Sequence, residues 1–164
     1  REIAERFGED QVCTVGKIDL HPNLINVIPS RATLTLDMRN TDEDSLVDAE
    51  RLLDTFCFQL EQDEGVSISK RTLARFEPVQ FDERVIEIVE RHCLSSGKRV
   101  RRLPSGAGHD AQMLARVCPS AMIFVPSQKG ISHNPAEHTD VDDLATGANV
   151  LLHVMLELAD TVFS

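Results

Sequence analysis

Two histidines and a glutamate lie within one loop of the sequence, at His133, Glu137 and His138. Imidazole nitrogens and carboxylate oxygens are ligands that zinc and other divalent transition metals prefer. A loop histidine is more often only solvated, however, and one or two ligands do not make a metal site. The loop therefore predicts at most part of a metal site, and the partner ligands would have to come from outside these 164 residues.

A glycine-rich turn, PSGAGHDA at residues 104–111, is the second feature that could do chemistry. Glycines let backbone N–H groups approach an anion or a carbonyl oxygen closely, and a helix is predicted to follow. The G-x-G-x-x-A spacing is similar to a dinucleotide fingerprint, but no acidic residue ends a strand about 20 residues later. A tight turn that binds no ligand is the alternative interpretation.

Arg39 is the third candidate, thirteen residues after Asn26 and at the end of a predicted strand. A guanidinium can hold a carboxylate through two parallel charge-assisted hydrogen bonds, which lysine cannot reproduce. Without further context, a surface salt bridge from Arg39 to Asp37 or Glu43 is the default expectation.

Two other chemistries are disfavoured by their residue patterns. Ser105 and Ser132 lie near histidines, but the sequence has no G-x-S-x-G motif and no acid assigned to orient a histidine. The basic residues around Val100 fit a solvated strand edge better than a polyanion site. These basic residues are Lys98, Arg99, Arg101 and Arg102.

Composition restricts the class of protein. Lys and Arg number 17 against 27 Asp and Glu, a net charge of −10 that argues against nucleic acid as a partner. Aromatic residues make up 4%, all Phe, so the platforms that stack bases or sugars are scarce. No apolar run is long enough to span a bilayer, and we expect a cytoplasmic protein with no membrane partner. The widely spaced cysteines are interpreted as buried thiols: Cys13, Cys57, Cys93 and Cys118.

The first half of the chain has the pattern of a small α+β unit. The first residues resemble the end of an amphipathic helix that stops at Gly8, so we expect the sequence to begin inside a longer protein. Strands are predicted over residues 11–20 and 31–39, as a hairpin with an exposed edge. Asn40 or Thr41 would cap a helix that runs to Gly65, and a further strand is predicted over 66–71. This order fits a ferredoxin-like unit that lacks its first strand.

A domain boundary is predicted near residues 77–82, where Pro78 interrupts the pattern. The continuous apolar run over 121–125 is typical of a strand covered on both faces of an α/β sheet. The predicted fold class is α/β, with domains 1–80 and 81–164. Elements predicted for the second domain are helix 82–95, strand 100–103, helix 109–117, strand 121–125 and helix 141–162.

Several motifs, in this order and spacing, resemble the hydantoinase/carbamoylase family of metal-dependent amidohydrolases. They are NVIP (26–29), LDMR (36–39), PSGAGHDA (104–111), MIFVPS (122–127) and GISHNPAE (130–137). The resemblance covers almost the whole chain but only about the C-terminal two fifths of the family's length. It implies a partial ferredoxin-like lid and dimerisation domain over 1–80, followed by the C-terminal part of an aminopeptidase-like catalytic domain over 81–164.

The resemblance also assigns residues. His133 matches the family's last metal ligand, and Asn26 with Arg39 matches the lid pair that holds the substrate carboxylate. Gly108 matches a main-chain substrate contact, with His109 beside it in the pocket loop. No catalytic residue is assigned, because the family's general-base glutamate and its other metal ligands belong to a part that this sequence does not contain.

The implied activity is hydrolysis of a linear C–N bond in a carboxylate-bearing ureide, such as an N-carbamoyl amino acid, allantoate or ureidopropionate. Two divalent ions, zinc, manganese, cobalt or nickel, would lower the pKa of a bridging water. The resemblance also implies a homodimer formed through the lid. We expect this chain alone to retain no such metal pair and to be inactive. The alternative is a non-catalytic module for ligand binding or dimerisation.

Overall fold

The elements of the first half form as the hydrophobic pattern predicts, up to Gly65. The computed structural model describes residues 2–8 and 10–160. A short helix α1 (Glu2–Arg6) precedes strands β1 (Val12–His21) and β2 (Arg31–Arg39), and helix α2 (Glu43–Glu64) follows. The helix predicted at the start of the chain and its stop at Gly8, which has φ 82°, are confirmed.

Strands β1 and β2 form the predicted antiparallel hairpin. The register pairs Val12 with Arg39 at one end and His21 with Arg31 at the other. One irregularity between Val15 and Lys17 leaves Gly16 as the extra residue of a bulge. Because the ladder fixes the register, it also fixes which β2 side chains share a face.

Helix α2 ends where the sequence predicts but is capped by a different residue. Asp42, rather than Asn40 or Thr41, accepts a hydrogen bond from the backbone N of Ser45 at 2.8 Å. Asn40 instead accepts one from the backbone N of Asp42 at 2.9 Å, which places the chain for the cap. At the other end Gly65 adopts the left-handed conformation, with φ 64°, that a side chain would disfavour.

The strand predicted over 66–71 does not form. The backbone N of Ile68 donates to the carboxylate of Glu61 in α2 at 2.6 Å. In a strand, this N–H would donate to a carbonyl oxygen of a neighbouring strand. Lys70 pairs with Asp54 of the same helix. Side-chain contacts with α2 thus replace a ladder, and the prediction was wrong for this reason.

Helix α3 (Glu83–Ser95) and helix α5 (Val141–Asp160) hold the core of the second half. Ile88 of α3 is buried with Val150 and Val154 of α5. These two long helices confirm the sequence prediction, except that residues 161–162 lie outside the described residues. None of the helices in the described part of the chain is both long and apolar enough to cross a membrane.

Three other predictions for the second half were wrong. Strands 100–103 and 121–125 are absent, because the only ladder among the described residues joins β1 to β2. The helix predicted over 109–117 is reduced to one turn, α4 (Ala111–Leu114), and a 3-10 turn spans Gln128–Gly130. A mixed α/β composition is nevertheless what the structure shows.

The chain divides into two compact units. One comprises Arg1–Pro78 with Pro104–Ala107, and the other comprises Val79–Leu103 with Gly108–Ser164. The first division follows Pro78, and residues 104–107, which the sequence predicts in domain 81–164, belong to the first unit. The cysteines are free thiols as predicted, but they are not buried: Cys118 is exposed, and Cys13, Cys57 and Cys93 are half-buried.

The close approach of α5 to residue 125 yields a stability prediction. A Cβ on Gly147 would lie 2.5 Å from Cγ1 of Val125, whereas an alanine inside a helix ordinarily stabilises it by about 1 kcal/mol over glycine. We therefore expect Gly147→Ala to destabilise the chain by about 1–3 kcal/mol, because the clash exceeds the gain in propensity. Urea unfolding measures this change. Adding Val125→Ala should recover part of the loss, and a stabilised Gly147→Ala single variant would contradict the packing.

A second prediction concerns acid stability. Hydrogen bonds from Arg91, and then from His92 at 2.8 Å, lower the pKa of Glu157 to about 2. A carboxyl group whose folded pKa is depressed stabilises the fold above its ordinary pKa, and this contribution is lost as the pH falls toward the folded value. We expect the urea midpoint to fall between about pH 4.5 and 2, and to fall less steeply in Glu157→Gln. An unchanged slope in Glu157→Gln would contradict the assignment.

Candidate functional site

Arg39 is held by a carboxylate of its own strand. Its Nε donates to Oδ1 of Asp37 at 3.0 Å, and its Nη2 donates to Oδ2 at 2.6 Å. Residues two apart in a strand share a face, so β2 brings the two side chains together without any further fold. Both side chains are about half exposed, at 48% and 49%. The structure thus contains one of the two salt bridges predicted for Arg39: it pairs with Asp37, whereas Glu43 pairs with Arg75.

The pair is ionised over a wide pH range. Its hydrogen bonds lower the pKa of the Asp37 carboxyl below the ordinary value and raise the pKa of the Arg39 guanidinium. Partial burial acts in the opposite direction on both groups but is the smaller effect. Asp37 and Arg39 therefore stay charged near neutral pH.

A backbone carbonyl from the glycine-rich turn gives Arg39 its third contact. Nη1 donates to the carbonyl oxygen of Gly106 at 3.0 Å, although 67 residues separate the two in sequence. Residues Pro104–Ala107 belong to the same compact unit as β2. The turn therefore serves as a hydrogen-bond acceptor at the end of β2, and no dinucleotide site is needed to explain its contact.

The backbone of Arg39 is fixed by a buried glutamine. Gln11, which is 6% exposed, donates from Nε2 to the carbonyl oxygens of Val12 and Arg39 at 2.9 and 3.0 Å. Its Oε1 accepts from Nδ2 of Asn40 at 3.0 Å. Since a buried amide is costly to leave unpaired, this arrangement holds the end of β2 where the Arg39 side chain starts.

Arg39 keeps donors for a further anion. A guanidinium has five N–H groups, and the contacts to Asp37 and Gly106 use three of them. One hydrogen on Nη1 and one on Nη2 remain, with no further acceptor among the described residues. These two can bind a second carboxylate.

Asn26 is not close to Arg39 along the hairpin. It lies, exposed, in the connection between β1 and β2, whereas Arg39 ends β2 at the opposite side. The eight steps from Arg31 to Arg39 span about 27 Å at about 3.4 Å per residue. The structure records no contact between Asn26 and Arg39, so it does not bring the predicted pair together.

Gly108 and His109 lie in the second unit, just before α4. The backbone N of His109 donates to Oε1 of Gln112 at 3.2 Å, and the imidazole meets the ring of Phe124 edge-on, with centroids 5.7 Å apart. A Cβ on Gly108 would be only in ordinary contact with Gln112, at 3.8 Å. The arrangement orients the His109 ring against an aromatic edge, and space alone does not require glycine at 108.

His133 has an unusual backbone conformation. Its φ is 54°, a left-handed value that few residues with side chains adopt. The backbone N of His133 donates to Oε2 of Glu137 at 2.9 Å. In the same loop His138 lies 3.4 Å from Asp140, measured from Nε2 to Oδ1. Glu137 thus holds the turn through a backbone bond to His133, a role that the sequence did not predict.

The residues present do not form a metal centre. Over 2–8 and 10–160, no three histidine, cysteine, aspartate or glutamate side chains are grouped so that they could hold an ion. The Glu137 carboxylate, in the same loop, accepts a hydrogen bond from the backbone N–H of His133. His133 can therefore supply one ligand at most.

Of the two residues that position Arg39, the sequence names Asp37 as a partner but does not reveal Gln11. Gln11 carries no pattern that separates it from any polar residue before a strand, so its burial could not be predicted. Asp37 was identifiable, because an acid two positions before an arginine in an alternating strand must share its face.

Of the basic residues around Val100, Arg102 pairs with Glu83 and Glu90, and Lys98 pairs with Asp143.

The comparisons with known proteins agree with the motifs. Residues 5–157 match the profile of the peptidase family M20/M25/M40. The chain is 37% identical to the allantoate amidohydrolase of Escherichia coli (strain K12) over 158 residues, which are 96% of this chain and 38% of that protein. It is 38% identical to an N-carbamoyl-L-amino acid amidohydrolase of Geobacillus stearothermophilus, with the same shares covered.

A solved structure shows the same likeness in three dimensions. An amidase of the hydantoinase/carbamoylase family from Burkholderia vietnamiensis superposes with a TM-score of 0.87 at 36% identity, over 95% of this chain and 38% of that one. The chain spans about two fifths of the length of the curated relatives it matches. The profile match, the identities and the superposition together show that the chain belongs to the peptidase family M20/M25/M40 and, within it, to the hydantoinase/carbamoylase amidases.

Proposed function

We propose that this chain is part of a hydrolase that cleaves a linear C–N bond in a carboxylate-bearing ureide, with Arg39 as the residue that binds the substrate carboxylate. The relatives are named as amidohydrolases of allantoate and of N-carbamoyl-L-amino acids. Both substrates combine a carboxylate with a ureido group, so one recognition site for the carboxylate would serve either. The choice between them would depend on other parts of the pocket.

The geometry of Arg39 is the observation that supports this proposal. Asp37 and the Gly106 carbonyl hold the guanidinium at all three nitrogens, yet two N–H donors remain. A fixed guanidinium loses little conformational entropy when it binds an anion, so binding costs less than with a mobile side chain. Fixing the carboxylate end of a substrate also aligns the bond to be cleaved.

The two compact units take different roles in this proposal. The first would be a partial lid and dimerisation domain of ferredoxin-like type, and the second would be the C-terminal part of the catalytic domain. Strand β1 or β2 would face a second copy of the protein, giving a homodimer. We also propose a cytoplasmic location.

The second unit would contribute contacts around the scissile bond. Gly108 would offer a main-chain contact to the substrate, with His109 beside it. His133 would be one ligand of a divalent metal, since amidohydrolases of this family are generally metal-dependent. The described residues do not complete such a centre, so no step of the reaction is derived through it.

Replacing Arg39 tests the carboxylate site. In the complete enzyme, Arg39→Lys keeps the charge but loses the planar fork. We expect kcat/KM for an N-carbamoyl amino acid or allantoate to fall by about 1.5–3 kcal/mol, or about 10- to 150-fold. Arg31→Lys, the same change at the other end of β2, is the matched control and should leave kcat/KM unchanged. Equal kinetics in both variants would remove Arg39 from the site.

Metal content tests the role of His133. After dialysis against micromolar zinc or manganese, this chain alone should retain far less than one ion per chain and should release no ammonia from N-carbamoyl amino acids or allantoate. One imidazole cannot hold an ion tightly, because affinity depends on the number of ligands and on a preformed geometry. Elemental analysis measures the first quantity and an ammonia assay the second.

The complete enzyme supplies the positive arm of this test. There, His133→Ala should lower bound metal by about one ion per chain, and His138→Ala, five residues away in the same loop, should not. Equal metal content in the two variants would contradict the assignment of His133. The non-catalytic alternative would be favoured by a complete protein that binds carboxylate ligands, binds no metal and does not hydrolyse ureides.

A further inference from the structure

We propose that Asp37 is a positioning residue for substrate recognition: it holds one edge of the Arg39 guanidinium and leaves the outer N–H donors to the substrate carboxylate. The proposal rests on the assignment of Arg39 to that carboxylate. Asp37 itself touches no substrate in this account. Its carboxylate acts only through Arg39.

The two hydrogen bonds explain why the guanidinium cannot rotate freely. They run in parallel from Nε and Nη2 to the two oxygens of one carboxylate, at 3.0 and 2.6 Å. A bidentate pair of this kind fixes the plane of the guanidinium as well as its position. The i, i+2 spacing on β2 gives Asp37 the same backbone support as Arg39, so the strand holds both partners of the pair.

The edge that Asp37 occupies determines which donors are left. Asp37 takes the Nε hydrogen and the Nη2 hydrogen beside it, so the second Nη2 hydrogen lies on the side of Nη1. The Gly106 carbonyl takes one hydrogen of Nη1. One Nη1 hydrogen and one Nη2 hydrogen then remain as donors for a substrate carboxylate.

Repulsion between Asp37 and the substrate carboxylate opposes this role, so the two possible roles of Asp37 predict opposite effects of its removal on substrate binding. A second carboxylate that binds Arg39 comes near the negative charge of Asp37, and like charges repel. If Asp37 merely competed for Arg39, its removal would strengthen substrate binding. If Asp37 positions Arg39, its removal weakens binding despite the relief of repulsion. Its lowered pKa keeps Asp37 ionised near neutral pH, where the two effects compete.

The variants are measured in the complete enzyme with a carboxylate substrate. We expect Asp37→Asn to raise KM about 5- to 10-fold and to change kcat less than twofold, because Arg39 remains and still aligns the bound substrate, but binds its carboxylate less tightly. Asp37→Glu, which keeps the charge on a longer side chain, should give an intermediate KM. Asp19→Asn is the matched control, since Asp19 forms an exposed pair with Lys17 on β1 at 2.7 Å, also two residues apart.

A double-mutant cycle separates positioning from general stabilisation. In the Arg39→Lys background, Asp37→Asn should have little further effect on KM, because there is no fork left to position. Effects that multiply in the double variant, or an unchanged or lowered KM in Asp37→Asn, would overturn the proposal. Failure of Arg39→Lys alone to change kcat/KM would instead overturn the proposed function, and this proposal with it. Should Asp37→Asn fail to fold, an Asp37→Glu variant with wild-type KM would overturn the proposal equally.

Discussion

The antiparallel ladder between β1 and β2 is the interaction on which the candidate site depends. It sets the register that pairs Val12 with Arg39, and the alternation of β2 then places Asp37 and Arg39 on one face. A shift of one residue would move both side chains to the opposite face together. The buried amide of Gln11, bonded to the carbonyl oxygen of Arg39, fixes the strand end at this register. The position of the guanidinium is thus a consequence of backbone pairing.

Several parts of this structure could be predicted because they depend on local sequence alone. The β1–β2 hairpin, α2 with its left-handed Gly65, α3 and α5 all follow from hydrophobic period and capping residues. Segments 66–71, 100–103 and 121–125 were predicted as strands, and they failed because a strand also needs a hydrogen-bonded neighbour. For 66–71 the backbone of Ile68 found a side-chain acceptor on α2 instead. Local sequence patterns do not show which acceptor the backbone of Ile68 will find.

The candidate site divides in the same way. Arg39 and its neighbour Asp37 were identifiable from an alternating strand, whereas the contact to the Gly106 carbonyl, 67 residues away, was not. Glu137 shows the same limit of local sequence. A carboxylate near histidines suggests a metal ligand, but here it accepts the backbone N–H of His133, whose left-handed φ of 54° belongs to that turn. Residue type indicates what a group can do, and the fold decides which partner it takes.

We propose that a pre-positioned Arg39 binds the carboxylate of a ureido acid. A crystal structure of the complete enzyme with a bound N-carbamoyl amino acid tests it most directly. We expect the substrate carboxylate to lie about 2.7–3.0 Å from Nη1 and Nη2 of Arg39, with the bonds from Arg39 to Asp37 kept. A carboxylate bound at another cation, or one that displaces Asp37 from the guanidinium, would contradict the account.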